Sequence, residues 1–234
     1  MKKILTLVVA LCIIYTSKAD NSNNGNKFTL GVSAGAALPM GTGNYGMYAQ
    51  TGFHFDVTAS YLFSGNIGGM VYIGENMNSF DNATFMSENR LANYDETFTS
   101  KGYNVGQYLA GPFLSLPASN KLKVNIRVLV GLVTANMPTE TINGYFDTET
   151  VSGNGGIGFG YQLGAGLKYN LSDKIGLTFN VAYTGASICY AGYSDAQIGT
   201  YQSGTSFNYT KTYTTKSTMP IGLVTSTLGL AFNL

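Results

Sequence analysis

The chain has 234 residues. Only 11% are Asp, Glu, Lys or Arg, 30 are Gly, 17 are Tyr, 13 are Phe and none is Trp. A soluble globular domain carries about 25% charged residues, and a disordered chain is more polar and more highly charged than this. A formal charge of +1 without a basic stripe excludes a nucleic-acid binder, and two cysteines cannot build a disulfide scaffold or a zinc site.

Met1, Lys2 and Lys3 precede an apolar run from Ile4 to Tyr15, and Ser17-Lys18-Ala19 places small residues where a signal peptidase reads. The run is too short to cross a bilayer core of about 30 Å. Residues 1–19 therefore read as a cleaved signal peptide, with Cys12 in the discarded part. Residues 20–27 are Asn-rich and are expected to be flexible, and 28–234 form the structural domain. The mature chain keeps one cysteine, Cys189.

From Phe28 on, the chain alternates with a period of two, the signature of strands. Phe28, Leu30, Val32, Ala34, Ala36 and Leu38 share one face; Thr29, Gly31, Ser33 and Gly35 share the other. Phe53, Phe55, Val57, Ala59 and Tyr61 oppose His54, Asp56, Thr58 and Ser60. Strands near 67–75 and 103–115 alternate less cleanly. Leu122, Val124, Ile126, Val128 and Val130 oppose Lys123, Asn125 and Arg127. Ile157, Phe159, Tyr161, Leu163, Ala165 and Leu167 oppose Gly158, Gly160, Gln162, Gly164 and Gly166. Ile175 to Tyr183 and Val224 to Phe232 complete eight strands. Helical periodicity is lacking, and so much Gly disfavours helices.

The connections alternate long and short: 39–50, 76–102, 135–156 and 189–219 against Ser64-Gly65-Asn66, Pro117 to Asn120 and Asn170 to Lys174. This predicts an eight-stranded antiparallel up-and-down transmembrane β-barrel, all-β, with short turns in the periplasm and long loops outside. A secreted soluble barrel is the alternative. Its polar face would be rich in Lys and Glu, whereas here that face is mostly Gly, Ser, Thr, Ala, Asn and Gln. Such residues suit a crowded lumen and leave the apolar face to lipid. Aromatics near strand ends predict two girdles, with Phe28, Tyr61, Phe63, Tyr169 and Phe232 in the lower one. Tyr45, Tyr48, Phe53, Tyr103, Tyr183 and Tyr190 are assigned to the upper one. Closure requires the last strand to pair with the first, because no backbone group can stay unpaired in hydrocarbon.

Tyr108-Leu109-Ala110-Gly111-Pro112-Phe113-Leu114, the stretch from Lys121 to Leu132 and Leu228-Gly229-Leu230-Ala231-Phe232 resemble the small outer-membrane β-barrel domain family of Gram-negative bacteria. That family includes PorT-like proteins and is similar to the barrel of OmpA-type proteins. The resemblance implies a barrel in the bacterial outer membrane and supplies no catalytic residue set. No periplasmic peptidoglycan-binding domain is expected to follow.

His54, Asp56, Lys123, Asn125, Arg127 and Gln162 are the candidate lumen residues. An unpaired buried charge is costly, so Asp56 and Arg127 are expected to form an internal ion pair at mid-height, with His54 and Gln162 nearby. A His-Asp pair with a serine such as Ser60 could serve a hydrolase, but no nucleophile motif is present, and no enzyme is expected. Neither a metal nor a cofactor is expected, since acidic groups such as Asp147 and Glu149 lack calcium-loop spacing. An eight-stranded lumen is just wide enough for side chains, so polar residues should plug it. Long loops rich in Tyr, Ser and Gly are recognition-prone. The expected role is structural or surface-interactive, with a small channel second and a lipid-modifying enzyme third. Expected partners are membrane lipids, lipopolysaccharide, the barrel-assembly machinery and an extracellular ligand, for a monomer that binds no nucleic acid.

Overall fold

The computed structural model describes residues 27–41, 43–88, 97–200 and 206–234. The expected signal peptide, 1–19, and nearly all of the 20–27 segment lie outside them. In chain order the elements are β1 (Phe28–Met40), α1 (Asn44–Tyr48), β2 (Gly52–Ser64), β3 (Ile67–Asn78), α2 (Asn82–Glu88), β4 (Thr97–Ser100), β5 (Tyr103–Pro117), β6 (Leu122–Asn136), β7 (Glu140–Asn143), β8 (Asp147–Gly153), β9 (Gly155–Asn170), β10 (Ile175–Tyr190), β11 (Tyr193–Thr200), β12 (Ser206–Tyr213) and β13 (Ser217–Asn233).

Eight long strands close an antiparallel barrel in the order β1-β13-β10-β9-β6-β5-β3-β2. The seam is a full ladder from Thr29 opposite Asn233 to Met40 opposite Gly222. Pairing of the first and last strands satisfies the backbone groups that an open sheet would leave bare. Ser64 to Ile67, Pro117 to Leu122 and Asn170 to Ile175 are the short turns, and they share one end of the barrel with the seam residues Phe28 and Asn233. Gly65 has φ +52, the left-handed conformation that a tight turn assigns to glycine.

The other two short turns are the same device built twice. In Ala118-Ser119-Asn120-Lys121-Leu122, the Leu122 carbonyl accepts from the N–H groups of Ala118 (2.8 Å) and Ser119 (3.0 Å). The Ser119 hydroxyl oxygen accepts from the Leu122 N–H at 3.1 Å. In Leu171-Ser172-Asp173-Lys174-Ile175, the Ile175 carbonyl accepts at 2.9 and 3.0 Å, and Ser172 accepts from the Ile175 N–H at 3.2 Å.

The strands run further toward the long-loop end than the apolar alternation marks. β10, for example, continues through Ser187 and Cys189 to Tyr190. A transmembrane strand needs about 9–11 residues, and strands of 15 to 17 residues stand clear of any bilayer at that end. The remaining strands do not widen the barrel to ten. Three long connections contribute them to a separate five-stranded sheet, β12-β11-β8-β7-β4.

Candidate functional site

The exterior is decided by parity. On β10, Ile175, Leu177, Phe179, Val181 and Tyr183 point outward and are each about 40% exposed, while Gly176, Ala182 and Thr184 point inward. Val128 and Val130 on β6 and Leu163 and Leu167 on β9 are similarly bare. At about 3.3 Å per residue and a tilt of about 40°, Ile175 to Tyr183 rises roughly 20 Å, near the height of an outer-membrane apolar band. A continuous apolar belt of this size has no stable place in water. This is the architecture of an outer-membrane β-barrel.

Tyr61, Phe63 and Tyr169 project from the lower edge of that belt and Tyr183 from the upper edge, all exposed; Phe28 and Phe232 are half-buried beside the seam. Phe53 is exposed as well, and Tyr108, at 51%, is an outward aromatic that alternation alone did not assign. Tyr103 is not a girdle residue. It has the parity of Val105, Gln107 and Leu109 and is buried inside the barrel, as are Tyr45 and Tyr190. In the outer halves of β10 and β13 the apolar residues Ile188, Tyr190, Met219, Ile221 and Leu223 turn inward while Ser187, Cys189, Thr218 and Pro220 face out, which reverses the alternation there.

Within the lumen, three layers follow one another. At mid-height, register brings partners together: His54 lies opposite Asn76, and Asp56 opposite Ser33. His54 Nδ1 meets Asn76 Oδ1 at 2.7 Å. The Asn76 amide donates to the Val105 carbonyl at 3.0 Å, which fixes its oxygen toward the ring. His54 Nε2 lies 3.1 Å from Asp56 Oδ2 and 2.8 Å from the Tyr72 hydroxyl. Ser33 Oγ donates to the same Asp56 oxygen at 2.6 Å.

The expected Asp56–Arg127 ion pair does not form. Tyr72, from β3, stands between them: its hydroxyl meets His54 and its ring face takes the Arg127 guanidinium at 5.1 Å. A cation over an aromatic face is attracted by the ring quadrupole. Gln162 reaches the Tyr72 hydroxyl and donates to Gln107 Oε1 at 3.2 Å, while Thr184 donates to the same oxygen at 2.9 Å. Glycine makes room for Tyr72 and for Arg127. A Cβ on Gly74 would sit 2.7 Å from the Tyr72 hydroxyl, and one on Gly164 would sit 2.7 Å from Arg127 Nε.

Below this network, the short-turn half holds an open cavity of about 1050 Å³ lined by Lys123, Asn125, Arg127 and Lys168, with Lys121 and Lys174 at its rim. Above it, the lumen is not polar as expected. Leu109, Leu129, Val133, Ile188, Tyr190 and Leu223 fill it and are all but inaccessible. Tyr45 of α1 enters from the top, its hydroxyl donating to Asn78 Oδ1 at 2.9 Å and its ring packed edge-on against Tyr103 at 5.2 Å. Phe80 stacks on Tyr103, and Phe85 stacks on Phe98 at 4.4 Å. Asp81 caps the start of α2, its carboxylate accepting from the Thr84 N–H (3.1 Å) and hydroxyl (2.9 Å). These bonds hold the Asp81 carboxyl below the usual carboxylate range.

In the outer sheet, Tyr193 and Tyr213 stack at 4.6 Å, and Lys211 lies over the Tyr213 ring at 4.7 Å. β12 is an edge strand with most side chains exposed. Burial pushes the Glu140 carboxyl up. Glu149 is pushed up by burial and by nearby Asp195. Among the described residues no group of three His, Cys, Asp or Glu side chains could hold a metal.

No family model and no curated protein matches the chain. Among solved structures it is similar to the outer membrane protease OmpT of Escherichia coli (9% identity, TM-score 0.48, 92% of this chain and 99% of that one). It is similar too to OprG of Pseudomonas aeruginosa (11%, 0.46, 92% and 100%) and to a major outer membrane protein of Thermus thermophilus (13%, 0.45, 88% and 99%). Likeness this low says nothing of function, and the assignment of the fold rests on closure, register and the apolar belt.

Proposed function

We propose that this chain is a non-conducting barrel of the bacterial outer membrane that displays an ordered β-sheet to the exterior and acts by surface interaction. The observation that carries the reading is the joining of three long loops into one five-stranded sheet above a lumen sealed by apolar side chains. Loops that only cover a barrel need no common sheet. A scaffold that fixes recognition segments does, and Tyr with Ser, Gly and Thr on β11 and β12 is a composition suited to contact. Affiliation with PorT-like barrels belongs to the same proposal and is supported by the stretches at 108–114, 121–132 and 228–232, as does export by a cleaved signal peptide.

The barrel is proposed not to be an enzyme. Both ring nitrogens of His54 are engaged, and the serine of the cluster, Ser33, donates to Asp56 rather than to the imidazole. A serine nucleophile needs its hydroxyl on the histidine. Its partners are proposed to be lipids and lipopolysaccharide around the belt, the assembly machinery during insertion, and an extracellular ligand on the sheet.

An epitope inserted after Tyr145, 87% exposed in the β7–β8 turn, tests display. Intact cells should stain. A second arm compares the full protein with one lacking 193–213 on an array of glycans and matrix proteins. Binding that disappears with the hairpin supports the reading. Staining only after permeabilisation, or an array profile indifferent to the hairpin, contradicts it.

A further inference from the structure

We propose that the cavity at the short-turn end is a binding site for a small phosphate-bearing anion. This goes beyond the surface role and does not depend on the outer sheet. Lys123 of β6 and Lys168 of β9 face each other directly in the ladder, both toward the lumen. Like charges directly opposite each other destabilise a sheet, and either position accepts a neutral polar residue, as the neighbouring Asn125 shows. Two inward positions further along β6 from Lys123 stands Arg127, only 8% exposed. Its Nε has no hydrogen-bond partner, and among the described residues no carboxylate pairs with the guanidinium.

A buried, unpaired charge is costly. The one carboxylate close enough in height, Asp56, is already taken by His54 and Ser33. The turns add to the cations. The twice-built Ser-Asn/Asp-Lys device sets Lys121 and Lys174 at the mouth of the cavity. The lining thus has five cationic side chains against Asp56 and Asp173. Gly164 and Gly166, beside Arg127 and Asn180, keep the wall free of side chains. A guanidinium fork with two ammonium groups around an open volume matches an oxyanion with several acceptor oxygens. The space exceeds one inorganic ion, which leaves room for the rest of a small phosphate-bearing molecule.

The test is calorimetric titration of the refolded full-length barrel, in a non-ionic detergent at moderate salt, with inorganic phosphate, pyrophosphate and a soluble short-chain phosphatidic acid. Saturable one-to-one binding of at least one probe is expected, weakened at least tenfold by Lys123→Gln and by Arg127→Gln and unchanged by Lys211→Gln on the outer sheet. Preference for phosphatidic acid points to a lipid headgroup as the source, and preference for pyrophosphate to a free metabolite. Heat-modifiable gel migration verifies folding of each variant. If Arg127→Gln does not fold, the half-buried Lys123 still decides the matter. No saturable binding to the wild-type barrel, or equal binding by the wild type and Lys123→Gln, would overturn the proposal.

Discussion

Asp56 holds the mid-lumen together through one oxygen. It accepts from the Ser33 hydroxyl and lies 3.1 Å from His54 Nε2, and its removal leaves a part-buried hydroxyl without its acceptor and a gap beside the buried ring. Asp56→Ala should cost about 3 kcal/mol, and Asp56→Asn, which still accepts, distinctly less. Urea unfolding of the barrel in liposomes measures both, and equal costs would count against the network. Gly74→Ala is the steric counterpart. Its methyl would press on Tyr72 and His54, at a cost of about 1–3 kcal/mol. The sequence made the inward residues of β2 and β6 readable, because their parity is clean. It did not show Tyr72, the residue that displaces the expected Asp56–Arg127 pair. Its strand reads Ile67, Met70, Val71, Tyr72, Ile73 with apolar residues on both faces, and parity alone assigns no partner across a lumen.

The outer sheet and its lid are the elements with separable stability. Phe80 touches Tyr48, Phe85, Phe98 and Tyr103, so Phe80→Ala should loosen the lid by about 3 kcal/mol and speed proteolysis within 76–102 while the barrel strands stay protected. Burial raises the Glu140 carboxyl, which makes its protonated form the better fit. The stability it contributes is full below the ordinary carboxylate range and is lost as pH rises through its raised pKa. Hydrogen exchange in β7 and β8, corrected for intrinsic rate, should therefore quicken on going from acid to neutral pH. Glu140→Gln should flatten that change. Long loops rich in Tyr, Ser and Gly marked these segments in the sequence as recognition-prone. Their assembly into one sheet, and the burial of Tyr45, Tyr103 and Tyr190 beneath it, depend on contacts between loops far apart in the chain. No local period encodes such contacts.

At the scale of the whole molecule, the barrel is two half-lumens. The short-turn half is open, cationic and lined by small polar residues; the outer half is apolar and closed under an aromatic lid. Strand number, closure and the lipid-facing belt were legible from alternation and from the long–short rhythm of the connections. The two-layered interior was not, since a residue facing inward near the long loops obeys the same parity as one facing the cavity. The central claim is that no water path joins the two ends. Single-channel recording of the refolded chain in planar bilayers tests it most directly. The account predicts a silent membrane from a correctly folded barrel. Stable, ion-dependent conductance steps from the wild-type protein would contradict it.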